Sequence, residues 1–555
     1  MKLSNYKYVL FAVSGFLFIT ATSCKKTLEE TPYSFLSPGN FYTSSANAVA
    51  AINGVYNELF TYDLYQQPFW NLTMTDDDHV SGADWYLGNA GAGNPQSYWG
   101  VDRPWAGLYT LIARSNAVLE NVAGMSTSVI DTATKSRILG EAHFFRGWSY
   151  FHLVQLYGGV PIRLQSVSAD TSASGFNKPR ATVAETYAVA IDEFKQAENL
   201  LFSAADSRSG EKGRVTKGLA KAFLAKTYLT MASGALQGSI AVIGGANNAS
   251  YTYTKDVVAG YEGFDSKAYY QLAKDKALEV VNSGDYSLYS NWSDVFTIAN
   301  RNGKEFLWEI QSAYGSSFVN NLHAYLSARS PFGTGAMWMT NNHYKTYDAT
   351  DTRVLDGVTH QYQANWGTYY YYPSWQAAQY NSSGTYNNDG KNDGDDKAFV
   401  TKFSYATSFN NDQLGTQYAN NNITGTSDAF FPVMRYSEVL LMVAEAENEV
   451  NGATATAYQY LAMVRNRCKA TAAPGGMSQQ DMRSYILEER GREFSLENIR
   501  RYDLIRWGVY LQVMNKIGTG QNSISKVRLP RNLLLPIPQS ELNSNKAITR
   551  NNPGW

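Results

Sequence analysis

Side chains able to do chemistry are few and scattered along this 555-residue chain. His143 and His152 stand nine positions apart, a spacing that sets them on opposite sides of a helix, so they cannot share a metal ion. Asp76-Asp77-Asp78-His79 has the composition of a cation site, but a solvated acidic turn is the simpler expectation. Asp389, Asp393, Asp395 and Asp396 lie among glycines as in a calcium loop, yet Lys391 occupies a ligand position and no glutamate closes the loop. The chain has no phosphate-binding glycine loop ending in Lys-Ser/Thr, no dinucleotide fingerprint and no Gly-x-Ser-x-Gly elbow. Any two acids could meet in space as a glycosidase pair, and no local signature selects one, so glycoside hydrolysis is kept as an alternative. No catalytic residue, metal or cofactor is expected.

What remains is aromatic surface. The chain carries 40 Tyr, 25 Phe and 12 Trp but only 17% charged residues, so its surface is polar through neutral groups. Its net charge of -1 and pI of about 6.6 advertise no stripe for nucleic acid. A sugar ring has one face made largely of C–H groups, and covering it with an indole or phenol buries ~50 to 80 Å², worth ~1 to 2 kcal/mol. Two or three such platforms with polar neighbours would reach roughly millimolar to high-micromolar affinity. The candidates are Trp85, Tyr86, Trp99, Trp338, Trp366 and Tyr369, which lie in aperiodic polar stretches where a core role is less automatic. For each alone, core packing competes with ligand contact; the group carries the expectation.

The elements that must hold these rings are helical. Residues 141–161 leave no broad polar face, because His143, Arg146, Ser149, His152 and Gln155 recur every three positions and so spiral about the axis. That is a helix buried on most of its circumference, ended by Gly158-Gly159 and Pro161, and Arg146 on it requires a carboxylate or backbone carbonyls. Further helices are expected over 40–60, 105–122, 132–157, 183–201, 215–231 and 267–282, with a long loop region over 70–104. Small residues and tyrosines over 218–228 and 270–279, and the pair 436–450 and 453–467 joined by Asn451-Gly452, have the spacing of tetratricopeptide units. Stacked pairs explain the length without several separate domains. Residues 291–432 read as a loop-rich insertion with short hairpins, one of them at 305–310. From Ser478 onward, acids and arginines alternate three or four apart, which predicts a solvated, salt-bridged helix face.

The N-terminus reads as a targeting segment. Lys2 and Lys7 precede an apolar run from Tyr8 to Ile19, too short to span a bilayer, and Ala21-Thr22-Ser23 lead into Cys24. Residues 1–23 form the expected signal peptide, and Cys24 the expected lipid-attachment site of a bacterial lipoprotein, with 24–40 as tether. At ~0.8 kcal/mol per buried methylene, several acyl chains anchor a protein permanently. Cys468 then has no partner for a disulfide and is read as a small buried apolar residue.

Phe144-Phe145-Arg146-Gly147-Trp148-Ser149-Tyr150-Phe151, leading into Leu156-Tyr157-Gly158-Gly159-Val160-Pro161, resembles the central helix of the SusD/RagB family of outer-membrane nutrient-binding lipoproteins. The Thr31-Pro32 entry with Asn53-Gly54-Val55-Tyr56 resembles the family's start. The run Glu489-Arg490-Gly491-Arg492-Glu493-Phe494 and the ending Leu535-Pro536-Ile537-Pro538 to Trp555 resemble its C-terminal signature. The resemblance implies a mainly α, SusD-like fold of tetratricopeptide-like helix pairs. It divides the chain into an N-terminal helical region 41–290, the insertion 291–432 and a C-terminal region 433–555, with 41–555 one structural unit. It also implies a cell-surface lipoprotein that binds a glycan without cleaving it and delivers it to a SusC-like TonB-dependent barrel transporter. A purely protein-binding helical scaffold is the other alternative.

Overall fold

The structure is a computed structural model that describes residues 41–166, 171–245, 247–313, 316–318, 320–327, 334–363, 369–373, 397–403 and 428–555, with backbone alone at 361–363 and 369–371. The expected signal peptide (1–23), Cys24, Trp366 and the aspartates at 389–396 lie outside the described residues.

The chain opens with α1 (Ser45–Glu58), α2 (Pro68–Met74), β1 (Val80–Gly82) and α3 (Asp84–Leu87), then enters α4 (Arg103–Ala123) and α5 (Thr132–Tyr157). The stretch 70–104, expected as loop, thus carries short elements; each is at most seven residues, too short to show a period. Asp131 caps α5 by accepting from the Thr134 N–H at 2.9 Å. Gly158 ends the helix at φ +73°, and a side chain on Gly159 would strike the Ala181 carbonyl. Phe144, Phe145, Trp148 and Phe151 on α5 are fully buried, each contributing ~1.5 to 3 kcal/mol. Arg146 finds the partners its position demands: Glu193 Oε1 at 2.6 Å, Asn116 Oδ1 at 2.8 Å and the Leu164 carbonyl at 3.2 Å.

Next come α6 (Val183–Leu200), α7 (Lys217–Ala235), the antiparallel hairpin β2 (Gly238–Gly244) with β3 (Ala249–Lys255), and α8 (Ser266–Asn282). The hairpin occupies the place where a tight turn would join two repeat helices. Its Ile240 and Val242 are buried against Leu487, Leu504 and Trp507 of the C-terminal region. After β4 (Phe306–Ile310) follow α9 (Leu322–Leu326), β5 (Met337–Met339), α10 (Asn341–Tyr344), β6 (Gln361–Gln363), β7 (Tyr369–Tyr371) and β8 (Phe431–Arg435). The local hairpin expected at 305–310 is not formed: β4 pairs antiparallel with β8, Phe306 opposite Arg435. All five residues of β4 are buried, so the strand needs a partner inside the molecule.

The chain closes with α11 (Tyr436–Asn451), α12 (Ala455–Arg467), α13 (Gln479–Glu493), α14 (Arg500–Arg506), α15 (Tyr510–Ile517) and α16 (Gln539–Ser544). The long helices pack serially, α4 on α5, α5 on α6, α6 on α7, α7 on α8, α8 on α11 and α11 on α12, which is the stacked-pair scaffold.

The charged C-terminal run corrects a second expectation. Glu489, Arg490, Arg492, Glu493, Arg500 and Asp503 are buried, not solvated. Arg435 donates to Glu493 Oε1 and Glu497 Oε2, both at 2.8 Å, and Arg467 donates to Glu493 Oε1 at 2.6 Å. Spacing of three or four positions on one helix is shared by exposed and buried charge ladders; the long-range partners here come from β8, α12 and Arg353, which the local pattern cannot reveal. Cys468 is buried and free.

Candidate functional site: an open aromatic face

Four short segments bring six rings together. Tyr62 follows α1, Trp85 and Tyr86 sit on α3, Tyr98 and Trp99 follow a 3-10 turn opened by Pro95, and Tyr325 sits on α9. Trp85, Trp99 and Tyr62 are 62%, 59% and 49% exposed, far beyond what core packing allows. Beneath them Tyr86 stacks on Tyr325 with centroids 4.5 Å apart, while Trp85 meets Tyr86 edge-on at 5.5 Å. Trp99 contacts Tyr98 at 5.4 Å and Tyr62 at 6.2 Å. The exposed rings therefore rest on a buried aromatic layer that limits their rotation.

Amide groups lie among the rings. Asn321 donates to Gln67 Oε1 at 3.3 Å, and the buried phenols of Tyr86 and Tyr98 lie beside Gln67 and Asn71 without a well-formed hydrogen bond. Burial, with Tyr98 and Tyr325 nearby, pushes the Tyr86 phenol well above its ordinary range, so it stays a neutral donor. The exposed indoles can cover the C–H face of a sugar ring, while the phenols and amides beneath them are sealed from solvent and hold the platform in place.

The loops are fixed from the other end of the chain. A side chain on Gly100 would strike the Tyr98 ring and Pro68, so glycine lets the ring lie flat there. Gly93 has φ +80°, its carbonyl accepts from Asn532 at 2.8 Å, and the Arg528 guanidinium passes against it. Asp76 accepts from Arg528 Nε at 2.8 Å and Arg501 Nε at 3.2 Å, and Asp78 takes both sides of Arg500 at 2.9 and 2.8 Å. Lys526 donates to the carbonyls of Asp77 and Val80. The acidic turn expected in solvent is thus a buried anchor, paired to residues more than 400 positions away in sequence, a separation no local pattern encodes.

Of the six candidate platforms, Trp85 and Trp99 are exposed on this face and Tyr86 lies directly beneath it. Trp338 is elsewhere and buried, 1% exposed, opposite Ser81 in the β1–β5 pair and edge-on to Phe399. Its aperiodic surroundings hid a three-residue strand. Tyr369 lies on β7, which pairs with β6. Sequence reasoning misses Tyr62 and Tyr325: Tyr62 follows directly on the apolar-periodic helix α1 and Tyr325 lies between Leu322 and Leu326 on α9, where a core assignment is the default. Among the described residues no group of three side chains could hold a metal ion.

By architecture this is a helix-pair scaffold whose loops present an aromatic face over a buried layer of phenols and amides. The chain belongs to the SusD family, whose family model matches residues 185–555; a second model, described as starch-binding associating with outer membrane, matches residues 26–229. A SusD-like protein of Formosa agariphila is 26% identical, covering 99% of this chain and 98% of that protein. A SusD-like protein of Bacteroides ovatus is 23% identical over 91% of this chain and 83% of its own length. Among solved structures, a SusD homolog from Bacteroides thetaiotaomicron aligns with TM-score 0.73 at 20% identity, covering 93% of this chain and 98% of that one. Surface glycan-binding protein A from the same species, in complex with laminarihexaose, aligns with TM-score 0.64 at 18% identity over 92% and 100% of the two chains.

Proposed function

We propose that this protein binds a glycan on the face carrying Tyr62, Trp85 and Trp99, without cleaving it, and delivers it to a SusC-like TonB-dependent barrel transporter at the outer membrane, where acyl chains on Cys24 hold it. The observation that carries the reading is the exposure of Trp85 and Trp99 on a fixed layer of rings and amides. The starch-binding description of the second family model and the laminarihexaose complex of a structural neighbour support the same class of ligand. Each exposed indole offers ~1 to 2 kcal/mol of contact, so affinity comes from several rings acting together and from polymeric ligands.

The test is affinity electrophoresis against a panel of polysaccharides. At least one should retard the protein, and Trp85→Ala with Trp99→Ala should weaken retention about 25-fold or more, since two lost contacts of ~1 to 2 kcal/mol multiply. Unchanged retention in the double variant, or release of reducing ends by the purified protein, overturns the reading. Cys24→Ala should move the protein from the membrane to the soluble fraction, and co-purification of a barrel transporter tests the delivery step.

A further inference from the structure

A second hollow, sharing no lining residue with the aromatic face, opens between the tip of the β2–β3 hairpin, α10 and the segment after α15. Its volume is about 350 Å³, enough for a small polar molecule. Asn248, Thr340, Asn341, Asn342, Thr346 and Thr519 line it, and among the described residues Ile243 and Ile517 are its only large apolar contributions. The imidazoles of His79 and His343 belong to the same lining, stacked 3.5 Å apart and within 10° of parallel.

The charges around the hollow are already committed. Asp78 is held by Arg500 through both oxygens, and Lys526 spends its protons on two backbone carbonyls. Lys345 is exposed at the margin. Burial, with Arg500, Arg492 and Lys526 nearby, holds the His79 imidazole well below its ordinary value; burial, His79 and Arg500 do the same to His343 against the pull of Asp78. Both rings are therefore neutral at pH 7, and the tautomer of His343 follows from its neighbours. Tyr347 donates its hydroxyl proton to the Arg492 carbonyl at 2.9 Å, so its oxygen accepts from His343 Nε2 at 3.2 Å. His79 Nε2 lies 3.4 Å from the Asp78 carboxylate. Neither Nδ1 has a partner among the described residues, and both are sealed from the hollow, so the rings supply wall and not hydrogen bonds to its contents. A wall of neutral amides and hydroxyls pairs with hydroxyl groups, whereas an ion entering it would lose water without an uncommitted buried counter-charge.

We infer that this hollow is a second binding site, for a neutral, hydroxyl-rich molecule of monosaccharide size that is held by the surrounding amides and hydroxyls. It stands independently of the aromatic face. The detergent-solubilised full chain, titrated with D-glucose, D-galactose and D-mannose under saturation-transfer NMR, tests it, with D-glucuronate as the charged comparator. At least one neutral sugar should bind with millimolar affinity and glucuronate about tenfold more weakly. Gly244 lines the hollow, and a Cβ there meets nothing within 4 Å, so Gly244→Phe has open space to enter and should weaken binding about tenfold or more. Thr519→Val, nearly isosteric, should weaken it severalfold and keeps the test open if Gly244→Phe fails to fold. Trp85→Ala with Trp99→Ala should leave it intact. No signal from any neutral sugar, or a signal lost with the tryptophans and kept in Gly244→Phe and Thr519→Val, overturns the inference.

Discussion

Glu309 on β4 has one oxygen accepting from the Asn302 N–H at 2.9 Å and the other without a partner. Burial pushes its carboxyl from 4.5 up to about 8. A raised carboxyl contributes stability that is complete below its unfolded value and is lost as pH climbs through the folded one. Glu309→Gln should therefore raise the thermal midpoint at pH 8 and leave it nearly unchanged at pH 4, read from melts at the two pH values. Glu489 has the opposite sign: burial opposes its charge, but Arg353, Arg492 and Arg465 outweigh burial and hold it at about 2, and Arg490 and Arg506 likewise hold Asp503 at about 2. Their contribution is present above about 4.5 and disappears as pH falls toward 2, so acid unfolding should occur in that window, followed by circular dichroism. Glu493→Gln, which leaves Arg435 and Arg467 short of a charge, should cost ~3 to 5 kcal/mol in denaturant unfolding.

At the scale of elements, two glycines in long helices should respond in opposite directions. A methyl on Gly147 in α5 would lie 2.9 Å from Glu193 Cβ and 3.2 Å from the Ala190 carbonyl of α6. The α5–α6 crossing depends on that close approach, and Gly147→Ala should destabilise by ~1 to 3 kcal/mol. On α1, a methyl at Gly54 meets nothing within 4 Å, and Gly54→Ala should stabilise by ~0.5 to 1 kcal/mol through helix propensity alone. Equal effects in denaturant titrations would contradict the packing described for α5. The hairpin β2–β3 shows the same dependence on neighbours: two short strands alone are marginal, and these are held by Ile240 and Val242 against α13, α14 and α15.

Across the whole molecule, the ends of the chain are tied together. Asp76 pairs with Arg528 across 452 positions, and β4 pairs with β8 across the loop-rich region. These ties lead us to expect that 41–555 unfolds as one unit, with a single calorimetric transition; two resolved transitions would separate an N-terminal from a C-terminal domain. The same ties brace the aromatic face, since Arg528 and Asn532 reach the loop between Trp85 and Trp99. Arg528→Met should therefore weaken glycan retention as well as stability, an effect separable from Trp85→Ala, which should leave the thermal midpoint unchanged.

The long helices were legible in the sequence because their apolar spacing is local. The bounds expected for α5 match those observed, and those for α6, α8, α11 and α12 differ by at most two residues at either end. The burial of α5 and the need of Arg146 for a partner followed from its spiralling polar residues. Trp85 and Trp99 were legible as candidates because polar, aperiodic surroundings give an indole no local core. Tertiary structure alone decided what depended on distant partners: that Trp338 is sealed between β1 and Phe399, that the Asp76–His79 turn is an internal anchor, and that the C-terminal charges are buried. A charge pattern reports that opposite signs are near one another along a helix. Whether water or protein surrounds them is set by which other elements pack there, and that information lies hundreds of residues away.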